Sequence, residues 1–213
     1  MTDTYRHKGL RARLVETLKA KGINDENVLK AIGAVPRHLF MESFLETKAY
    51  EDIALPISAG QTISQPYTVA TQTGLLKVKA GDKILEVGTG SGYQSCILLE
   101  MGAKVYTTER QIELFQKAKE LLPSLGYNPK LFFSDGSLGL PTYGPFDKII
   151  VTAGAFQAPN ELLAQLKIGG LMVIPVGAKI QSMTLYMRVS ETSFSKTEHG
   201  TFSFVPLLKG LVK

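Results

Sequence analysis

The chain has 213 residues, 44% hydrophobic and 20% charged, which suits one sizeable globular α/β domain. No window approaches the roughly 20 apolar residues of a membrane-spanning helix, and no apolar signal core follows the first six residues. Neither membrane contact nor export is expected. A net charge of +5 raises the question of nucleic acid.

Much of that positive excess lies in the first 21 residues, at Arg6, Lys8, Arg11, Arg13, Lys19 and Lys21. Their near-helical spacing among Leu10, Leu14, Val15 and Leu18 reads as the solvated face of an amphipathic helix, so no nucleic-acid partner is expected. The single cysteine, Cys96, has no partner for an internal disulfide, which fits the reducing cytoplasm. It reads as core. His7 and His199 read as surface residues and His38 as part of a turn. Three scattered histidines and one cysteine imply no metal site.

Residues 5 to about 50 read as helical, with a break at Gly22 and a cap signal at Asn24-Asp25. Pro36 and Pro56 bracket a connector. A polar, turn-forming stretch from Ala59 to Pro66 follows, and helical periodicity returns from Val69 to Leu76. From Lys83 the pattern alternates. Strand candidates are Lys83 to Val87, Lys104 to Glu109, Pro129 to Phe133, Asp147 to Val151 and Leu171 to Val176. Helical segments between them run from Tyr93 to Met101, Ile112 to Leu122 and Asn160 to Leu166, the last stopped by Gly169-Gly170. Such alternation implies crossover connections and a parallel sheet covered on both faces. Ser182 to Val189 and Thr201 to Val205 then read as antiparallel strands added at one edge. With no repeat and no flexible linker, residues 1–213 form one domain. Residues 1–78 are a helical, substrate-facing extension, and residues 79–213 are a cofactor-binding core with the C-terminal strands.

Glu86-Val87-Gly88-Thr89-Gly90-Ser91-Gly92 joins a strand to a helix. Glycines permit a sharp turn and close ligand approach, and the helix N-terminus offers free N–H groups. A dinucleotide fingerprint requires G-x-G-x-x-G, but here the third glycine comes one residue early. The spacing is similar to the first motif of Rossmann-like methyltransferases, whose ligand S-adenosylmethionine carries no phosphate. Glu109 ends the second strand, where a carboxylate can accept from both ribose hydroxyls and repels a 2′-phosphate. Asp135-Gly136 follows the third strand, where an acid can meet the adenine amino group. Each feature alone also has a bland reading, as a turn or a solvated acid.

The acceptor is signalled elsewhere. Val35-Pro36-Arg37-His38-Leu39-Phe40, Ala49 to Ile57 and Gly60-Gln61-Thr62-Ile63-Ser64-Gln65-Pro66-Tyr67 closely resemble the protein-L-isoaspartate O-methyltransferase family. So do Gly144 to Ala153, Leu166 to Gly177 and Phe204-Val205-Pro206-Leu207. The resemblance spans nearly the whole chain. It implies a Rossmann-like, mostly parallel sheet with antiparallel C-terminal strands, its last strands in an order unlike most such methyltransferases. It also implies methyl transfer from S-adenosylmethionine to the free α-carboxylate of L-isoaspartyl residues, which starts repair through a succinimide. Under it Gly88, Thr89 and Gly90 line the methionine end, Glu109 takes the ribose, and Asp135-Gly136 face adenine. Ser64 is the active-site serine, Gln61, Thr62 and Ile63 shape the groove, and Val205 offers backbone contacts. Gly154-Ala155-Phe156 and the residues after Leu207 depart from the family pattern, which bears on peptide preference and not on the reaction.

An α-carboxylate with a reference pKa near ~3.5 is ionised at neutral pH and needs no general base. Ser64 therefore reads as an orienting donor, with helix capping as its structural alternative. It is no nucleophile, since a serine nucleophile needs an adjacent base. Rival readings are a methyltransferase for small molecules or nucleic acid and a non-catalytic adaptor. Val151-Thr152-Ala153-Gly154, in place of an Asn/Asp-Pro-Pro-aromatic segment, disfavours base methylation. Damaged proteins are the expected partners, and a monomer is favoured.

Overall fold

The computed structural model describes residues 2–213. Helix α1 (Tyr5–Ala20) starts at a capping box formed by Thr4 and His7. Its buried positions, His7, Arg11, Leu14 and Leu18, recur at i, i+4, i+7 and i+11 and make one inward stripe. Arg11 is therefore not on the solvated face. It is 6% exposed, donates to Gly33 O at 2.7 Å and forms a two-pronged pair with Asp3. His7 is also buried, stacked on buried His38 with ring centroids 3.8 Å apart. The two histidines thus meet across the N-terminal helices and are not scattered.

Helix α2 (Glu26–Ala34) is capped by Asp25, which accepts from Asn27 N and Val28 N. Beyond it, residues 35–50 are not α-helical. Pro36 favours a non-helical residue before it, and two 3-10 turns follow at Arg37–Phe40 and Ser43–Lys48. A two-residue antiparallel ribbon, β1 (Leu55–Pro56) with β2 (Thr62–Ile63), leads into α3 (Pro66–Leu76). Pro66 opens that helix, where its missing N–H is no loss.

The sheet contains β3 (Lys83–Val87), β4 (Lys104–Glu109), β5 (Lys130–Phe133), β6 (Phe146–Val151), β7 (Leu166–Gly177), β8 (Gln181–Arg188) and β9 (Phe194–Phe202). Its order is β5-β4-β3-β6-β7-β8-β9. The first five run parallel, through crossovers that include α4 (Tyr93–Glu100), α5 (Ile112–Ser124) and the short α6 (Asn160–Leu163). The last two strands pair antiparallel in chain order. This is the Rossmann-like methyltransferase sheet.

Two strands, β7 and β9, differ from expectation by more than one residue at an end. Gly169-Gly170 does not precede β7 but lies inside it, where the register against β6 shifts between Phe146 and Lys148. Glycine tolerates such an irregularity. The last strand is Phe194–Phe202, so Thr201 and Phe202 end it where they were expected to begin one, and Ser203 to Val205 lie beyond the sheet.

Period-two alternation divides the strand residues between the faces. Leu85, Val87, Ile149, Val151, Met172 and Ile174 pack with Leu162 and Leu163 of α6 on one face. Ile84, Val105, Ile150 and Val173 pack with Leu76 and Leu98 on the other. A further apolar layer joins α1 and α2 to the outer sides of α3, α4 and α5. Cys96 lies in it, and burial pushes its thiol well above the ordinary range. No helix among the described residues is long and apolar enough to cross a membrane.

Candidate active site

The parallel strands end on one edge, and the loops leaving β3, β4, β5 and β6 meet there. Gly88 has φ +96°, and a Cβ on it would lie 2.5 Å from Thr152 Oγ1. That hydroxyl donates to Gly88 O at 2.7 Å, so the turn after β3 is locked to the end of β6. The loop's N–H groups at Gly88, Thr89 and Gly90 are taken up within the protein. Gly88 N and Thr89 N both donate to Thr108 O, and Gly90 N donates to Glu109 Oε2 at 2.8 Å. The loop follows the end of β4 and contributes space and shape. Thr89 is buried, its hydroxyl 2.7 Å from that of Thr107.

Glu109 collects three N–H groups, those of Gly90, Arg110 and Gln111, each at 2.8 Å. It lines a cavity of about 260 Å³ together with Gly88, Thr89, Gly90 and Gly136. Gly136 is forced by close packing, since a Cβ there would come within 2.5 Å of Val87 Cγ1. Asp135 is not on that cavity wall. Its carboxylate accepts from Ser137 N and Oγ and from Gly210 N at 2.6 Å. Against the upward push of burial, these hydrogen bonds hold the carboxyl below its ordinary range.

Asp135 thus anchors the C-terminal tail and does not face the cavity. Arg110 grips the same tail at Gly210 O and Lys209 O, and Val212 bridges to Gln111. Pro206, Leu207 and Leu208 consequently wall the cavity. The sequence carried no periodic signal for this strap, which follows no regular element.

A second cavity, of about 630 Å³, runs between the β2–α3 segment and residues 199–205. Both cavities are lined by Thr62, Ser64, Thr152 and Val205, so Ser64 stands where they meet. Its hydroxyl has no hydrogen-bond partner among the described residues, and its carbonyl accepts from Arg37. Ser64 does not cap α3: the N-cap is Gln65, and Asp52 Oδ1 accepts from Tyr67 N at 2.7 Å. Gln61 and buried Ile63 line the smaller cavity only. The Val205 carbonyl accepts from Gly154 N at 2.8 Å, and its N–H has no hydrogen-bond partner among the described residues. Half-buried His199 lines the groove and is not a plain surface residue.

A family model described as Protein-L-isoaspartate(D-aspartate) O-methyltransferase matches residues 10–211. The chain belongs to that family. It is 61% identical to a protein-L-isoaspartate O-methyltransferase of Christiangramia forsetii, over 98% of this chain and 99% of that one. Identity is 60% to the enzyme of that name from Flavobacterium psychrophilum, with the same coverage. A solved Plasmodium falciparum chain assigned to this activity, in complex with S-adenosyl-L-homocysteine, superposes with a TM-score of 0.82 at 26% identity. It covers 94% of this chain and 99% of that one.

The chain is accordingly an S-adenosylmethionine-dependent O-methyltransferase, and its smaller cavity suits that cofactor. Among the described residues Arg110 is the only Lys or Arg on the cavity wall, and it is committed to the tail, as a phosphate-free ligand allows. Gln94, which sequence reasoning passed over, lines the same cavity. Its Oε1 is buried without a partner among the described residues, an acceptor suited to a ligand with N–H donors.

Proposed function

We propose that the chain methylates L-isoaspartyl residues of damaged proteins, with Ser64 orienting the acceptor carboxylate at the junction of the two cavities. The observation that carries this reading is the unpartnered Ser64 hydroxyl, exposed to both cavities while Asp52 takes over the helix cap. In this reading the glycine loop and Gln94 hold the methionine end, Glu109 the ribose and Gly136 the adenine ring. Bound S-adenosylmethionine supplies an electrophilic sulfonium methyl.

The α-carboxylate needs no base, because it is already ionised. One of its oxygens forms the new bond to the methyl carbon as the sulfur–carbon bond breaks, and no proton moves. The Ser64 hydroxyl and the Val205 N–H donate to this carboxylate and fix its direction, which is the main requirement for a reaction between preformed partners. Gln61, Thr62 and Ile63 shape the entrance, and the strap at Pro206–Leu208 limits water. The methyl ester then gives a better leaving group for succinimide closure.

Residues 1–213 act in this reading as one domain, supported by the continuous apolar layer joining α1 and α2 to α3, α4 and α5. We place it in the cytoplasm as a monomer, its partners the damaged proteins. Buried Arg11 paired with Asp3 interrupts the basic N-terminal face and favours protein over nucleic acid.

The test is methyl-ester formation, read as methanol release, on an isoaspartyl peptide and its aspartyl twin. The two differ in backbone length and in which carboxylate is free. Strong preference for the isoaspartyl peptide is expected, and equal rates would refute the assignment.

A further inference from the structure

Arg37 is 0% exposed, yet its guanidinium hydrogen-bonds to no carboxylate. Nη1 donates to Ala49 O at 2.7 Å, and Nη2 donates to Ile53 O at 3.2 Å and Ser64 O at 3.0 Å. All three acceptors are main-chain carbonyls, spread over residues 49–64. The nearby acid, Asp52, is occupied by Tyr67 N and Lys21. Nε has no partner among the described residues. The guanidinium carbon lies over the Tyr93 ring, 5.7 Å from its centre.

A buried cation held by neutral carbonyls is a poor way to gain stability, since an apolar side chain of similar volume avoids the desolvation penalty. A planar fork does what an apolar side chain cannot, because it fixes several carbonyls at set angles to one another. One of those carbonyls belongs to Ser64. On the opposite side, Tyr93 is the first residue of α4, directly after Gly92 of the glycine loop, and it lines the smaller cavity. Arg37 therefore touches both halves of the site without reaching either cavity.

We propose that Arg37 is a positioning residue, whose guanidinium sets the Ser64 main chain against the Tyr93 end of the glycine loop and so aims the Ser64 hydroxyl at the acceptor carboxylate. The proposal rests on the role assigned to Ser64. Lysine at this place keeps the charge but is a point donor, so the fork is lost while the cation and most of the packing remain. A displacement of the donor by a fraction of an ångström to an ångström is expected to act on turnover, with substrate and cofactor still bound.

The experiment is a double-mutant cycle of Arg37→Lys with Ser64→Ala, reading kcat and KM for an isoaspartyl peptide and calorimetric affinity for S-adenosylhomocysteine. In the Ser64 background, Arg37→Lys is expected to lower kcat roughly ten- to a hundredfold, with KM and cofactor affinity within about threefold. In the Ser64→Ala background the same change should cost less than about twofold, because the group it positions is gone. An equal factor in both backgrounds, a loss confined to KM, or an unchanged kcat overturns the proposal. Arg37→Gln, a neutral donor, serves as a second variant. If neither variant folds, Arg37 is a structural residue only, which also overturns it. A Ser64→Ala enzyme of wild-type kcat would instead refute the role of Ser64, a different failure.

Discussion

Glu109 Oε2 accepts the Gly90 N–H at 2.8 Å, so the acid at the end of one strand and the glycine loop at the end of its neighbour move as one unit. Its other oxygen holds the N–H groups of Arg110 and Gln111. The carboxylate thus organises the protein before it meets a ribose. Glu109→Ala should weaken S-adenosylhomocysteine binding by about 1–3 kcal/mol, the range for hydrogen bonds to a charged group. It should also lower thermal stability, since three N–H groups lose their acceptor. Glu109→Gln keeps one carbonyl oxygen and should lose less on both counts. Calorimetry and thermal unfolding decide it, and unchanged affinity in Glu109→Ala would remove Glu109 from the cofactor site.

Ser64→Ala should lower kcat by about 10²–10³, the range for an orienting donor of the oxyanion-hole kind. The loss is smaller if Val205 N–H shares the load. Because Gln65 and Asp52 supply the start of α3, stability should change by less than about 0.5 kcal/mol. Ser64→Thr should keep part of the activity. Steady-state methylation beside urea unfolding tests this. A marked loss of stability with no loss of rate would return Ser64 to a structural role.

Asp135→Ala should release the tail, because Gly210 N loses its acceptor. Protease cleavage within residues 207–213 should then quicken, and cofactor affinity should fall by about 1 kcal/mol as the strap loosens. An S-adenosylhomocysteine analogue with the adenine amino group replaced by oxygen separates two roles. A direct contact from Asp135 to that amino group predicts that the variant loses its discrimination between the analogues. A tail anchor predicts an equal loss for both.

The sheet was legible because short β-branched runs and glycine turns recur in a βα rhythm. Lys83 to Val87 and Lys104 to Glu109 came out to the residue. The three strand-end positions followed from that rhythm. What escaped was set by tertiary contacts. Arg11 and His7 look solvated by residue type although they share the stripe of Leu14 and Leu18, and Asp3, Gly33, Glu46 and the stacked His38 explain their burial. The strap from Pro206 to Leu208 has no period, and Asp135 looks like a ligand residue until Gly210 reaches it. Arg37 was visible only as one letter of a family motif. Its meaning lies in three carbonyls that are 12, 16 and 27 residues away in the chain.

Glu86, two residues before Gly88, is 0% exposed in the middle of the sheet. Ser95 Oγ donates to its Oε2, while Oε1 has no partner among the described residues. Burial pushes its carboxyl up to about 7, with the Ser95 hydrogen bond opposing and the charge of Glu109 assisting. The folded pKa lies above the ordinary 4.5, so the native state binds this proton more tightly than the unfolded chain does. Its contribution to stability is therefore fully present below pH 4.5 and is lost as pH rises through about 7. The loss should be on the order of 2–4 kcal/mol. Glu86→Gln keeps an acceptor for Ser95 and cannot ionise. Urea unfolding of both proteins at pH 5 and pH 8 isolates the effect, since every other titrating group cancels in the difference. The stability of Glu86→Gln relative to wild type should improve by at least about 1.5 kcal/mol from the lower pH to the higher. At the lower pH the variant should be somewhat the weaker, because its amide N–H lacks an acceptor. A difference that stays constant across this range would mean that Glu86 is ionised throughout, and that a buried donor still unidentified satisfies Oε1.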